Sequence, residues 1–319
     1  MRRRPDKRLY KSRLVAQNLG NVTLKGVNVV RAYNSKWADL WNTWNWEGWV
    51  RKQIDVSIAA GANCIKITAS GIQPEDGFNY PADAVLQARI KQLCDYVQSK
   101  GAVVYWNLVA HPYYLFGSGG TSYSTNIASV LKVAKWVDQQ ANVVAIDICN
   151  EVNQSQPTTW SGPNYTQFAA DMGTYFADVR TVTSLPLTYS VLCQTASEYT
   201  GGWISNGAGF VDFHDLHPYY ISGIPSQSDL ATLRAASYYK GRFLMGECGS
   251  SIAQTSSVQT TWTTALGGYG TATDSFGAVL FCAADYDVTT PYQFGMYDIN
   301  VLNGRSQIIT PFGTWTGKL

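Results

Sequence analysis

Two glutamates carry the chemistry that this sequence announces first. Glu151 closes the run Val143-Val144-Ala145-Ile146-Asp147-Ile148-Cys149-Asn150-Glu151, and Glu247 closes Phe243-Leu244-Met245-Gly246-Glu247. Both runs are short, apolar and bounded, the pattern of a buried strand rather than a helix. A core strand that delivers a carboxylate at its C-terminal end is how a parallel α/β barrel builds a reactive face. Two such carboxylates would share one cleft, one protonated and one ionised, with their mutual repulsion separating the two pKa values. At a separation of about 5–5.5 Å, such a pair is the apparatus of retaining glycoside hydrolysis. Taken alone, Asn150-Glu151 has a plainer reading as a cap for the following helix; its pairing with a second strand-end glutamate outweighs that reading.

The elements that must position these residues alternate along the chain. Strands are expected at 24–30, 63–69, 102–108, 143–149, 185–192, 210–216, 242–246 and 276–283, with helices at 47–60, 81–99, 126–139, 164–182, 228–239 and 255–266. Alternating strands and helices imply a parallel sheet. Eight units in about 290 residues favour closure, so the expected fold class is α/β, a single (β/α)8 TIM barrel. The expected organisation is a basic N-terminal tail over 1–20 and a catalytic barrel over 21–319.

Composition narrows the ligand. Charged residues make up only 14% of the 319, while there are 11 tryptophans and 20 tyrosines. That balance fits neutral ring-shaped ligands better than nucleic acid. The net charge of +2 conceals an asymmetry: residues 1–13 hold seven Lys or Arg against Asp6, a net +6, which leaves −4 for the rest. Such a tail reads first as a solvated terminus, and a role against nucleic acid or an anionic surface is the lesser expectation. The basic start has no apolar run behind it, so no signal peptide is expected, and no window is apolar enough for a membrane span. Secretion, or a virion or cell-surface setting, stays compatible with that reading. None of the six cysteines (Cys64, Cys94, Cys149, Cys193, Cys248, Cys282) forms a C-x-x-C pair, and five lie in or beside apolar runs, so buried small hydrophobes are expected rather than a zinc site or disulfides. With three histidines and no phosphate-binding glycine loop after a strand, no metal and no cofactor are expected.

Aromatic residues are candidate sugar platforms, since rings stack on the apolar C–H faces of sugars. Trp37, Trp41, Trp44, Trp46 and Trp49 fall within thirteen residues. Trp46 and Trp49 are spaced to pack a helix, whereas Trp37, Trp41 and Trp44 are expected on the loop after the first strand, at the active-site face. Trp106, Tyr113, Tyr114, Trp160, Trp203 and Tyr286 are further candidates. His214 is read as structural.

Gly26-Val27-Asn28, Asp147-Ile148-Cys149-Asn150-Glu151, His217-Pro218-Tyr219 and Gly246-Glu247 stand in an order and at strand positions that resemble glycoside hydrolase family 5, the cellulase and mannanase family of clan A, or a close clan A relative. Phe294-Gly295-Met296-Tyr297-Asp298 is similar to that family's ending, so the resemblance runs over roughly residues 24 to 319. It implies Glu151 as acid/base on strand four and Glu247 as nucleophile on strand seven. It further implies Asn150 as the partner of the sugar 2-hydroxyl, and His217 and Tyr219 as strand-six residues around the carboxylates. The family's strand-two arginine is replaced by Lys66, its strand-three histidine has His111 as the nearest candidate, and strand eight reads Phe281-Cys282-Ala283-Ala284-Asp285 where the family ends in tryptophan.

The expected function is therefore retaining hydrolysis of β-glycosidic bonds in a neutral oligo- or polysaccharide of β-glucan or mannan type. Alternatives are an exo-acting β-glycosidase on small glycosides, a barrel that binds carbohydrate without cleaving it, and a phage- or cell-wall-associated glycan lyase or hydrolase. The expected partner is carbohydrate alone, with neither nucleic acid nor membrane, and the expected state is a monomer.

Overall fold

A computed structural model describes residues 23–31, 37–74, 79–117, 122–193, 196–220, 227–250 and 272–281. The basic tail, the helix expected at 255–266, Cys282, Tyr286 and the 294–298 ending lie outside these residues.

The strands are β1 Leu24–Asn28, β2 Cys64–Thr68, β3 Val103–Asn107, β4 Val143–Asp147, β5 Leu187–Thr188, β6 Ser190–Leu192, β7 His214–His217, β8 Tyr219–Tyr220, β9 Phe243–Ser250 and β10 Ser275–Leu280. Nine of them pair side by side in the order β5-β4-β3-β2-β1-β10-β9-β7-β6, and β8 adds to β9. Every pairing is parallel. β5 and β6 flank the single residue Tyr189, so they are two halves of one fifth strand. Its first half pairs with β4 and its second with β7, and the ring closes through it. The protein is an α/β (β/α)8 barrel.

The helices between strands bury one stripe each, as period 3.6 requires. α1 Trp37–Thr43 and α2 Arg51–Ala59 follow β1, joined through a π-helical turn at Trp46–Val50. α3 Asp83–Ser99 buries Leu86, Ile90, Leu93, Cys94 and Val97. α4 Pro112–Phe116 is a single turn. α5 Tyr123–Asp138 buries Val130, Val133, Ala134 and Val137, and α6 Tyr165–Arg180 buries Phe168, Met172, Tyr175, Phe176 and Val179. α7 Gly202–Gly207 and α8 Gln227–Ala235 complete the described set. The five described cysteines are buried and form no disulfide with one another.

Some boundaries moved. Residues 37–43, expected as loop, form α1, because Leu40 and Trp41 bury against the barrel and tertiary packing overrides local signals. The short helix α4 forms after β3 where no helix was expected, and the strand expected at 210–216 begins only at His214.

Side chains alternate between the helix layer and the barrel interior. In β2, Ile65 and Ile67 are fully buried, and so is the intervening Lys66, which turns to the axis. Closure depends on glycine where β1 meets β10. Gly277 pairs with Leu24, and a Cβ there would lie 2.0 Å from the Leu24 carbonyl oxygen; its φ is +120. Gly26, on the other side of the seam, would meet Val279 at 2.6 Å. Gly277→Ala should therefore cost about 2–4 kcal/mol, from backbone strain and overpacking together. Urea denaturation would measure it, and a cost near zero would mean that the seam does not need its glycine.

Candidate active site

Alternation turns polar residues of seven strands inward, near the C-terminal rim of the barrel. Asn28 ends β1, Lys66 lies in β2, Tyr105 in β3, Asp147 ends β4, Ser190 opens β6, Asp215 and His217 sit two apart in β7, and Glu247 lies in β9. All eight are buried. Glu151 lies four residues beyond β4, with its side chain 15% exposed.

Glu247 is gripped through both oxygens. Asn28 Nδ2 donates to Oε1 at 3.0 Å and Lys66 Nζ lies 3.0 Å from the same oxygen. The Tyr219 hydroxyl donates to Oε2 at 2.8 Å. Across the cleft, His217 Nδ1 stands 3.0 Å from Glu151 Oε1 and 3.7 Å from Glu247 Oε2. One oxygen of Glu151, one of Glu247 and one His217 ring nitrogen all fall within 4.8 Å of one another. The two glutamates, 96 positions apart in the chain, thus face each other over one imidazole.

Beneath them the charges are balanced rather than diluted by water. Lys66 Nζ is 3.7 Å from Asp147, 3.3 Å from His217 Nε2 and 3.3 Å from the Gly246 carbonyl oxygen. His217 Nε2 lies 3.6 Å from Asp215, which also accepts from the Tyr105 hydroxyl. Gly246 has a local purpose: a Cβ there would sit 1.9 Å from an Asp215 carboxylate oxygen, so glycine makes room for the buried acid.

These neighbours set the titration of the site. Burial opposes a charge on Lys66, but Glu247, Asp215 and Asp147 outweigh it and hold the ammonium above its ordinary value. Burial also works to raise Glu247, yet Lys66, His217 and the Tyr219 hydroxyl hold it below the usual carboxylate value. Asp215 is lowered in the same way, burial being overcome by His217, Lys66 and Tyr105. For Asp147 burial wins against the pull of Lys66, with Asp215 adding to it, and the pKa rises to about 7. Burial and Lys66 both oppose a charge on His217, but Glu247 and Asp215 prevail and lift it to about 9. Two triplets, Glu151-His217-Glu247 and Asp147-Asp215-His217, have the spacing to reach a common cation. The Lys66 ammonium, in contact with residues of both, already supplies a positive charge there.

The sequence-derived site residues divide. Glu151, Glu247, His217, Tyr219 and Lys66 come together. Asn150 is adjacent, its amide donating to the Val109 carbonyl at 2.8 Å and its side chain 3.4 Å from Ser190 Oγ. His111 lies just before α4, half-buried, with its ring 5.9 Å from Tyr114. Three aromatic candidates are corrected. Trp41 and Trp106 are completely buried, their indole N–H groups spent on the Thr68 and Ala69 carbonyls, so neither offers a face to a sugar. Trp44 is half-buried and stacks on Trp41 and Trp46, with its indole N–H donated to Gln92, so its ring serves an aromatic ladder under α1. Trp160 is likewise fully buried, whereas Tyr113 and Tyr114 are half-buried on the loop after β3.

Sequence reading passed over Ser190, Asp215, Tyr105 and the role of Asp147. The signal for Asp215 was present: in His214-Asp215-Leu216-His217, period two puts Asp215 on the same face as His217.

No protein-family model and no curated protein matches this sequence. Solved structures do. An exo-β-1,4-mannosidase, Op5Man5, from Opitutaceae bacterium strain TAV5 superposes with a TM-score of 0.67 at 16% identity, covering 91% of this chain and 58% of its own. A Saccharomyces cerevisiae Gas2p mutant in complex with laminaritetraose and laminaripentaose gives 0.58 at 14% identity, covering 92% and 62%. Another structure of Gas2, in complex with a small compound, gives 0.60 at 12%, covering 94% and 66%. The chain spans about three fifths of the length of these structures. At such identities the likeness is one of fold, and it agrees with the strand pairing: this chain is a (β/α)8 barrel of the architecture they share.

Proposed function

We propose that this barrel is a retaining glycoside hydrolase that cleaves β-glycosidic bonds in a neutral, gluco- or manno-configured glycan. The observation that carries the reading is the approach of Glu151 and Glu247 to within 4.8 Å, across His217, at the C-terminal rim of the barrel. That spacing supports double displacement; an inverting enzyme keeps its carboxyl groups about 6.5–9.5 Å apart to admit a water between them. The mannosidase activity of one structural neighbour and the laminari-oligosaccharides bound to Gas2p support a β-glycan as the substrate.

In this reading Glu247 attacks the anomeric carbon as an ionised carboxylate. Lys66, Asn28 and Tyr219 hold it in that state and in that orientation. Three donors leave a lone pair free on the carboxylate for attack. Glu151, the less buried of the two, gives its proton to the leaving oxygen as the glycosidic bond breaks. The deprotonated Glu151 then takes a proton from water, whose oxygen displaces Glu247 from the sugar. Asn150, beside the acid/base, is assigned to the sugar 2-hydroxyl, and the half-buried Trp37, which packs against the cluster holding Tyr219, is with Tyr113 and Tyr114 a candidate to line the cleft. The alternative of exo-action on small glycosides draws on the exo-β-1,4-mannosidase among the structural neighbours; the length of the products from an oligosaccharide separates the two.

Glu247→Ala should lower kcat/KM on β-glucosides and β-mannosides by about 10⁴-fold or more. Azide should restore turnover with inversion to a Glu247→Ala variant and with retention to Glu151→Ala. A barrel that only binds carbohydrate would show no turnover on any β-glycoside in its natural form and would keep its affinity when Glu247 is replaced. Charge removal gives a second test, of pH dependence. Without the Lys66 ammonium the ionised form of Glu247 loses support, so its pKa rises. Lys66→Met, checked for folding by circular dichroism, should move the acidic limb of the kcat/KM profile to higher pH by about one unit or more. An unmoved limb would assign the control of Glu247 to other groups.

A further inference from the structure

Glu151 adopts φ +44, the left-handed region, which for a residue with a side chain costs about 1 kcal/mol or more. Such a conformation persists only where the surroundings enforce it, and here the enforcement is traceable. The Glu151 amide donates to Ser190 Oγ at 2.9 Å, and the Ser190 hydroxyl in turn donates to Asp147 Oδ2 at 2.9 Å. Asp147 Oδ1 accepts from the Cys149 amide at 3.1 Å. The carboxylate that ends β4 thus reaches both limbs of the turn, Cys149 directly and Glu151 through the serine. The Ser190 backbone brackets the same turn, its N–H donating to the Cys149 carbonyl at 3.1 Å and its carbonyl accepting from Val152 at 3.0 Å. Ser190 and Asp147 are both fully buried, so water cannot replace either link.

We propose that Ser190, relayed to Asp147, is a positioning residue that fixes the strained turn of Glu151 and thereby aims its carboxyl group at the leaving oxygen. This rests on the hydrolase reading above and adds the device that orients the acid. The Ser190 hydroxyl touches no reacting atom; it holds the amide of the residue that does. An acid out of place harms only the substrates that need protonation, because a 2,4-dinitrophenolate leaves without it. That asymmetry separates positioning from a general loss of structure.

The test compares Ser190→Ala and Ser190→Thr on a 2,4-dinitrophenyl glycoside and on an oligosaccharide of the same sugar. Ser190→Ala should lower kcat/KM for the oligosaccharide about 30- to 100-fold, within the range of general acid catalysis, and for the dinitrophenyl glycoside less than about threefold. Ser190→Thr, which retains the hydroxyl, should recover most of the loss. Equal losses on both substrates, or none on either, would overturn the proposal. A readout independent of turnover is amide hydrogen exchange at Glu151. It should quicken about tenfold or more in Ser190→Ala while amides in the middle of the barrel strands keep their rates, and unchanged exchange would also overturn the proposal. An enzyme without any turnover would sink the hydrolase reading, and the exchange rate would still decide the clamp.

Discussion

A single buried ammonium organises the centre of this barrel. Lys66 is the hub of a layer that would otherwise hold three carboxylates in a space closed to water. An ion of that size moved out of water costs several kcal/mol even after relaxation, and a lone carboxylate in such a place takes up a proton instead. Lys66 spreads its influence unequally. It lies 3.0 Å from Glu247 and 3.7 Å from Asp147, and the two acids respond differently: Glu247 is held below its ordinary pKa while Asp147 rises to about 7. One cation thereby separates these two acids, and of the pair it is the one facing the cleft whose ionised form is favoured.

His217 extends the same balance upward. It is flanked by Asp215 below and by Glu151 and Glu247 above. With a pKa near 9 the imidazole is a cation at neutral pH, so the layer holds two buried positive charges against Glu247, Asp215 and a partly protonated Asp147. Near-neutrality of the whole layer, more than any single pair, lets a barrel interior that is usually filled by branched apolar side chains carry this many ionisable groups.

Much of this was legible in the chain. The alternation of apolar runs with helical stretches gave the eightfold barrel, and the two glutamates meet, although Glu247 lies inside β9, which runs on to Ser250, and Glu151 lies four residues beyond β4. The misses have physical causes. Trp41, Trp44 and Trp106 were read as sugar platforms because a tryptophan's sequence context does not say which face is covered; only the packing of α1 on β2 and β3 reveals that these rings serve the core. Ser190 was invisible because a serine in a strand looks like any small polar residue, and its importance arises from Asp147 of β4, 43 positions earlier. Asp215 was passed over because an acid inside a strand is ordinarily a surface residue, and nothing local says that Lys66 waits opposite.

The substitution of lysine for the resemblance's arginine belongs with Asp215. A guanidinium would engage Glu247 through a planar fork and fix its orientation alone. An ammonium is a compact charge that can serve several acceptors at once, and Lys66 does so, reaching Glu247, Asp147 and the Gly246 carbonyl. What a lysine cannot do is impose a plane. Here orientation passes to other strands: Asn28 from β1 on one oxygen of Glu247 and Tyr219 from β8 on the other. The ring of Tyr219 is itself braced edge-on against Phe281, just past the end of β10. Charge comes from β2, direction comes from β1 and β8, and the aromatic beyond the last strand is used to steady the residue that supplies direction.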